Sequence, residues 1–386
     1  MNLAETQDKV RKFLLIVSIV TFAYYTSKFI FFQSVDFYRR INPPKLPEPK
    51  VAFGILPKLK MREIKVNGNP TYKLDTIDGG LPTFPDRADV YEIIKPTTNL
   101  LSEQQVKQLA ADLGFIGSYI PLSKSEFRWI DGINNRTFTA HAARKIFTLD
   151  TPVSRISTAI FQAPKITSED ATNEVLGFIK SKSLVNTIDM NNLKFDAVIA
   201  QVTLGTIKET NELNPVTKLV KVNVHRTINQ TIKGKEVKYI VYGPNPKDSK
   251  INFFVTNQGG IFKFPKINFT YWDTEYNIKS DYYLSSLALV WETIKNGKGI
   301  VSYAKSNDDN YFDLPNFISA DTVEIRDVSI AYYEEQNLPA DDNTRMFLQP
   351  IYVFEGIYTY KDISGQTKKG DIVIYYPAVR GDFVSN

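Results

Sequence analysis

The stretch YYLSSLALVWETIKNG, residues 282–297, decides the fold class. Leu287, Val290, Trp291 and Ile294 recur at spacings of three and four, which puts them on one face of a helix over residues 285–295. Gly297 and Gly299 then close it. The chain beyond has another period. Residues 300–304, 323–333, 347–360 and 371–376 are rich in β-branched and aromatic side chains and read as strands. One helix followed by several strands is the pattern of a helix laid on an antiparallel sheet. It is not the βαβ alternation of a doubly wound nucleotide-binding fold.

Towards the N-terminus the same plan occurs twice more. Ser168, Glu169 and Asp170 open a helix carrying Val175, Leu176 and Ile179, with strands expected at 193–201, 219–228, 236–242, 251–256 and 266–272. Before it, Ser102 and Gln105 form a capping box for a helix with Val106, Leu109, Ala110 and Leu113 on one face, ended by Gly114. Strands at 72–76 and 89–94 precede that helix, and others at 126–130, 136–140 and 145–149 follow it. The sequence predicts an α+β protein of tandem units, each one helix packed on a curved antiparallel sheet. The domains fall at residues 62–160, 161–275 and 276–386.

A different segment precedes them. In FLLIVSIVTFAYYTSKFIFF, residues 13–32, the side chains of Phe13, Leu14, Leu15, Ile16, Val17, Ile19, Val20, Phe22, Phe29, Ile30, Phe31 and Phe32 are apolar. As a helix, about twenty residues cross a ~30 Å hydrocarbon layer. Its one charge, Lys28, lies near the end, where the stem can snorkel to the interface. Tyr24, Tyr25 and the 29–32 cluster suit an aromatic belt. No A-x-A-like cleavage site follows, so the segment reads as an uncleaved single-span anchor in the plasma membrane. Lys9, Arg11 and Lys12 nearly balance Lys28, Arg39 and Arg40 across it. A short leader before a long body favours residues 1–12 as a cytoplasmic tail and an extracytoplasmic body. Residues 33–61 follow as a spacer, and four prolines between Asn42 and Lys50 favour stiff polyproline II.

Composition limits the chemistry. The 386 residues are 43% hydrophobic and 23% charged, an ordinary globular balance. A net charge of +5 without a basic cluster argues against a nucleic-acid partner. With no cysteine, disulfides, thiolate nucleophiles and cysteine-bound zinc are excluded. The two histidines, His141 and His225, lie far apart, which excludes H-E-x-x-H chemistry. No metal, no cofactor and no catalytic residue is expected. Ser302 and Lys305 match S-x-x-K, but a strand turns positions i and i+3 to opposite faces, and the companion S-D-N and K-T-G motifs are missing. The acid pairs Asp308–Asp309 and Asp341–Asp342 read as solvated loops, since an EF-hand frame from Asp308 puts Phe312 at a ligand position.

Binding is the remaining theme. Adjacent aromatic pairs at 271–272, 282–283, 332–333 and 375–376 fall mostly on expected strands, where one ring turns inward and the next outward. Tyr283, Tyr333, Tyr352 and Tyr376 are therefore candidates for a partner or ligand surface. On the anchor, Ser18, Ala23 and Ser27 are small enough for close approach of a partner's helix.

The helix over 282–297, strands at 328–333 and 348–354, and the closing segment 371–379 together resemble a PepSY-like module. With the anchor and the helix–sheet units before it, the order is similar to the YycH/YycI family. That resemblance implies a single-span extracytoplasmic regulator of a bacterial sensor kinase, built from tandem α+β domains without a catalytic centre. The expected function is a membrane-anchored binding or regulatory protein. Its partners are the lipid bilayer and another envelope or membrane protein, with a membrane sensor or envelope assembly as its target. A cell-surface adhesin or cell-wall-binding protein is the alternative, followed by an envelope hydrolase.

Overall fold

A computed structural model describes residues 11, 13–29, 31, 48, 50–95, 102–210, 218–232, 234–309, 311–337 and 344–385. The chain divides into two units, Met1–Glu48 and Pro49–Asn386. In the first, residues 13–29 form helix α1, and every described side chain on it is exposed. Among the described residues no helix is long and apolar enough to cross a membrane. Ile30 and Phe32, which complete the expected span, lie outside the described residues, as do the tail 1–10 and most of the spacer.

The second unit is mixed α+β and mostly sheet. In chain order it holds β1 (Lys65–Asn67), β2 (Thr71–Leu74), β3 (Arg87–Ile93), α2 (Ser102–Asp112), β4 (Ile120–Pro121), β5 (Glu126–Asp131), β6 (Arg136–His141), β7 (Lys145–Asp150), α3 (Val153–Gln162), α4 (Ser168–Ser181), α5 (Thr187–Met190), β8 (Leu193–Thr203) and β9 (Thr206–Glu209). Then come β10 (Leu219–Ile232), β11 (Lys235–Tyr242), β12 (Ile251–Val255), β13 (Lys266–Tyr271), β14 (Thr274–Tyr283), α6 (Leu287–Lys295), β15 (Ile300–Ser306), β16 (Phe317–Ser319), β17 (Thr322–Tyr333), β18 (Met346–Lys361) and β19 (Thr367–Pro377).

One sheet has the order β4-β5-β6-β7-β13-β12-β10-β8-β9, every pair antiparallel. Helix α4 packs against β8, β10 and β12 through Ala171, Val175 and Ile179, over a core that includes Phe138, Phe147, Phe253 and Phe269. Its start is fixed by Thr167, whose hydroxyl accepts from the Asp170 N–H at 3.0 Å. The second sheet runs β15-β19-β18-β17, with β2 and β11 lying parallel to β17, and β3 paired to β18 and β14. Helix α6 covers one face with Val290, Trp291 and Ile294. On the other, Leu59 packs with Tyr333, Ile351, Val353 and Tyr375.

The pairings correct the expected domain boundaries. Strands β2 and β3, assigned from sequence to a first domain, pair with β14, β17 and β18 near the other end of the chain. The first sheet is drawn from residues 120–271, whereas 71–93 and 274–377 build the second together with β11 (Lys235–Tyr242). Side-chain alternation decides which residues form a strand, but partner choice is settled by whichever edge needs its backbone groups paired. The ends of the second unit also meet: Leu56 N–H donates to Phe383 O at 2.8 Å, and Ser385 N–H to Leu56 O at 2.8 Å.

Strand β10 joins the two sheets. Up to Arg226 it pairs with β8, and from Thr227 it forms a hairpin with β11, whose last residues lie beside Tyr332 and Tyr333 of β17.

Candidate functional site

Charge concentrates where β10 changes partners. Arg226 is 4% exposed, yet it sits on the inward parity of β10 with Val220, Val222, Val224 and Ile228. Its Nη1 donates to Asp189 Oδ2 at 3.2 Å, Trp272 O at 3.0 Å and Thr274 Oγ1 at 3.1 Å, and its Nη2 to Glu334. Asp189 stands on the one-turn helix α5, begun by Asn186, whose side chain accepts the Asp189 N–H at 2.7 Å. Its carboxylate also accepts from the hydroxyls of Tyr271, at 2.5 Å, and Tyr276. Lys250 Nζ lies 3.0 Å from Glu334 Oε2 and donates to Glu335 O at 2.7 Å.

Two cations thus face two carboxylates in a buried setting. Burial works against the Arg226 charge, but Glu334 and Asp189 outweigh it and hold the pKa well above the usual arginine value. Burial wins at Lys250, taking it down to about 8 despite Glu334. Burial, with Asp189 beside it, raises the Tyr271 hydroxyl far above the usual tyrosine range. A second polar seam lies along the hairpin, where Gln230 Nε2 donates to the hydroxyls of Tyr332 at 2.6 Å and Tyr91 at 3.1 Å, and Tyr332 donates to Asp89 O at 2.6 Å. Through Arg226 the ionic cluster ties Asp189 on α5, ahead of β8, to Trp272, Thr274 and Glu334 on the side of the second sheet. Sequence reasoning missed the cluster. Its readable signal was an arginine at the inward position of an otherwise aliphatic alternation.

The serine–histidine contact found among the described residues, Ser125 with His141, has the wrong proton for nucleophilic catalysis. His141 Nδ1 accepts from the backbone N–H groups of Ala143 and Arg144, both at 3.2 Å. The proton therefore sits on Nε2, which donates to Ser125 Oγ at 3.0 Å. A base toward that serine needs a lone pair there. Burial, aided by Arg144, also keeps the His141 pKa below its usual value. His225 is buried edge-on to Tyr242, with no partner for Nδ1 among the described residues. Ser302 is fully buried, and Lys305 is held instead by Glu209 at 2.8 Å. Asp308 pairs with Lys368 at 2.7 Å, while Asp341 and Asp342 lie outside the described residues. Among the described residues no group of three histidines or carboxylates is placed to hold a metal ion.

The tyrosine surface expected from sequence is overturned in part. Tyr333 is 0% and Tyr352 2% exposed, and their hydroxyls donate to Lys60 O at 3.0 Å and Ser285 O at 2.8 Å. The second sheet is covered on both faces, so outward-turned rings are buried as deeply as inward ones. Tyr283 is half-buried between Arg87 and Arg380, whose guanidinium carbons lie 4.7 and 5.1 Å from the ring centre. Tyr376 is half-buried against the core beneath α6. Ser18, Ala23 and Ser27 are exposed on α1. The structure does not bring the four tyrosines together as one exposed face.

Open space lies elsewhere. A cleft of about 730 Å³ separates residues 63–72 from 295–301, and its lining includes Lys65, Asn67, Asn69, Tyr72, Gly297 and Gly299. No protein-family model matches the chain, and no curated protein is significantly similar to it.

Proposed function

We propose that this is a membrane-anchored, extracytoplasmic binding or regulatory protein without catalytic activity, acting through contacts with another envelope or membrane protein. The observation that carries this reading is helix α1: Phe13, Leu14, Leu15, Ile16, Ile19, Val20 and Phe22 are 57–74% exposed along it. Side chains of this kind each favour an apolar phase by about 1.5–3 kcal/mol, so water is the wrong solvent for that surface. A bilayer supplies the right one, with Lys28 and the tyrosines at its boundary. The YycH/YycI-like order of segments supports the regulatory role, and the sensor of the envelope is its natural target. The buried ionic groups at the sheet junction support a body built to hold a shape for recognition.

The test is crosslinking and affinity capture of the full chain in its own membranes, repeated with residues 13–32 exchanged for an unrelated span. A specific membrane-protein partner in either case supports the reading, and its loss on exchange places the contact on α1. Recovery of the chain in the soluble fraction, or capture of isolated cell wall with no membrane partner, overturns it in favour of the adhesin alternative.

A further inference from the structure

We infer that the cleft between β1 and the start of β15 receives an extended peptide segment of a partner protein by strand addition; this rests on the binding reading above and names its site. The argument begins with hydrogen-bond direction. β1 pairs in parallel with β16 in the register Lys65–Phe317, Val66–Ile318 and Asn67–Ser319, and Lys65 N–H donates to Asn316 O at 3.0 Å. In a parallel ladder, alternate residues turn both backbone groups to the same neighbour. Lys65 and Asn67 therefore serve β16, and the N–H and C=O of Val66 point to the opposite side. Ile64 shares that side, and its N–H donates to Val301 O at 2.8 Å.

β1 and β15 thus touch at Ile64 and Val301 and splay apart beyond them, leaving the cleft of about 730 Å³. The backbone groups of Val66 face the gap. Across it, Gly297 and Gly299 present main chain without side chains. A Cβ at Gly299 would lie 2.5 Å from Ile374 Cγ2 and force a shift there. The floor is apolar at the buried Ile64 and Val301. The rim carries the exposed Asn67 and Asn69 amides, together with Glu63 and Lys65.

The Val66 N–H and C=O, without a partner among the described residues and set over an apolar floor, match an extended main chain, which offers both group types alternately and side chains every second residue. Glu63 offsets Lys65, and the other charge of the lining, Lys295, is paired with Glu292 at 2.7 Å, which disfavours a simple anion; the lining has one aromatic ring, Tyr72, so a stacked sugar is poorly served.

The chain lacks cysteine, so Asn69→Cys in the full-length protein, held in lipid nanodiscs, takes a single fluorophore at the rim. A phage-displayed random dodecapeptide library is selected on the same preparation without the label, and enriched peptides are then titrated. Val66→Pro removes the N–H that faces the gap while sparing the β16 ladder. Losing that hydrogen bond weakens enriched peptides about tenfold. Methylating alternate peptide amides weakens them similarly. Asn67→Trp, at another exposed position of the lining, fills the cleft and gives a second reading if the proline variant folds poorly. Failure to enrich peptides, unchanged binding to both variants, or displacement by cell-wall glycan fragments overturns the inference. A membrane partner that both variants still capture overturns this site while leaving the regulatory reading intact.

Discussion

Arg226→Met asks what holds the two sheets at their set angle. The substitution keeps an apolar stem of similar length and removes four hydrogen bonds, three from Nη1 and one from Nη2. Asp189 keeps its tyrosine donors and Glu334 keeps Lys250, but both carboxylates stay buried with less compensation. Removing one partner from a buried ionic group costs roughly 3–5 kcal/mol. In a body of this size that lowers the melting temperature on the order of 5–10 °C. Urea titration at pH 7, followed by tryptophan fluorescence, reads the loss as a lower midpoint. Replacing Asp189 by Leu in the same chain recovers part of the loss, because the uncompensated charge goes with it. A loss below about 1 kcal/mol refutes the reasoning.

Three further outcomes follow from the same geometry. Burial takes the His225 pKa down to about 4, partly opposed by Asp196, from an unfolded value near 6.5. The imidazole is neutral when folded, so stability is full above pH 6.5 and falls by about 3 kcal/mol as pH drops toward 4; His225→Phe flattens that part of the urea-midpoint profile. Gly299→Ala drives a methyl against Ile374 and Ile294 and costs about 1–3 kcal/mol, whereas Gly297→Ala, with nothing within 4 Å, meets only the strain of its φ of +73°; thermal melts rank the two. Thr167→Ala removes the cap of α4 and costs about 1 kcal/mol, read as a lower urea midpoint with unchanged slope.

Local periodicity carried most of the secondary structure. The helices α2, α4 and α6 and the long strands stand where apolar spacing and glycine endings place them. Strand β14 escaped because a register shift between Glu275 and Lys279 breaks its alternation, and α3 because Pro152 precedes it without a side-chain cap. Strand partnership was not legible. Nothing in the 71–74 segment marks β17 as its neighbour, since that choice depends on edges some 250 residues away in sequence. The tyrosine surface failed for a related reason. Alternation tells which ring turns to which face, but not whether both faces are covered, as at Tyr332 and Tyr333. The junction site was half-legible, as an arginine out of pattern at 226, whereas its carboxylates come from α5 and the end of β17 and meet it only after folding.

The meeting of Leu56 with residues 383–385 sets an order of assembly. The strands of the first sheet all lie between residues 120 and 271 and can pair before β14 to β19 are made. The second needs β17 before β2 can pair, and β14 and β18 before β3 can, and the contact of Leu56 awaits residues 383–385. Contacts of such long sequence separation form slowly. Residues 50–95 therefore emerge well before their partners, and until those are made their strand edges stand open to chaperones, proteases and neighbouring chains.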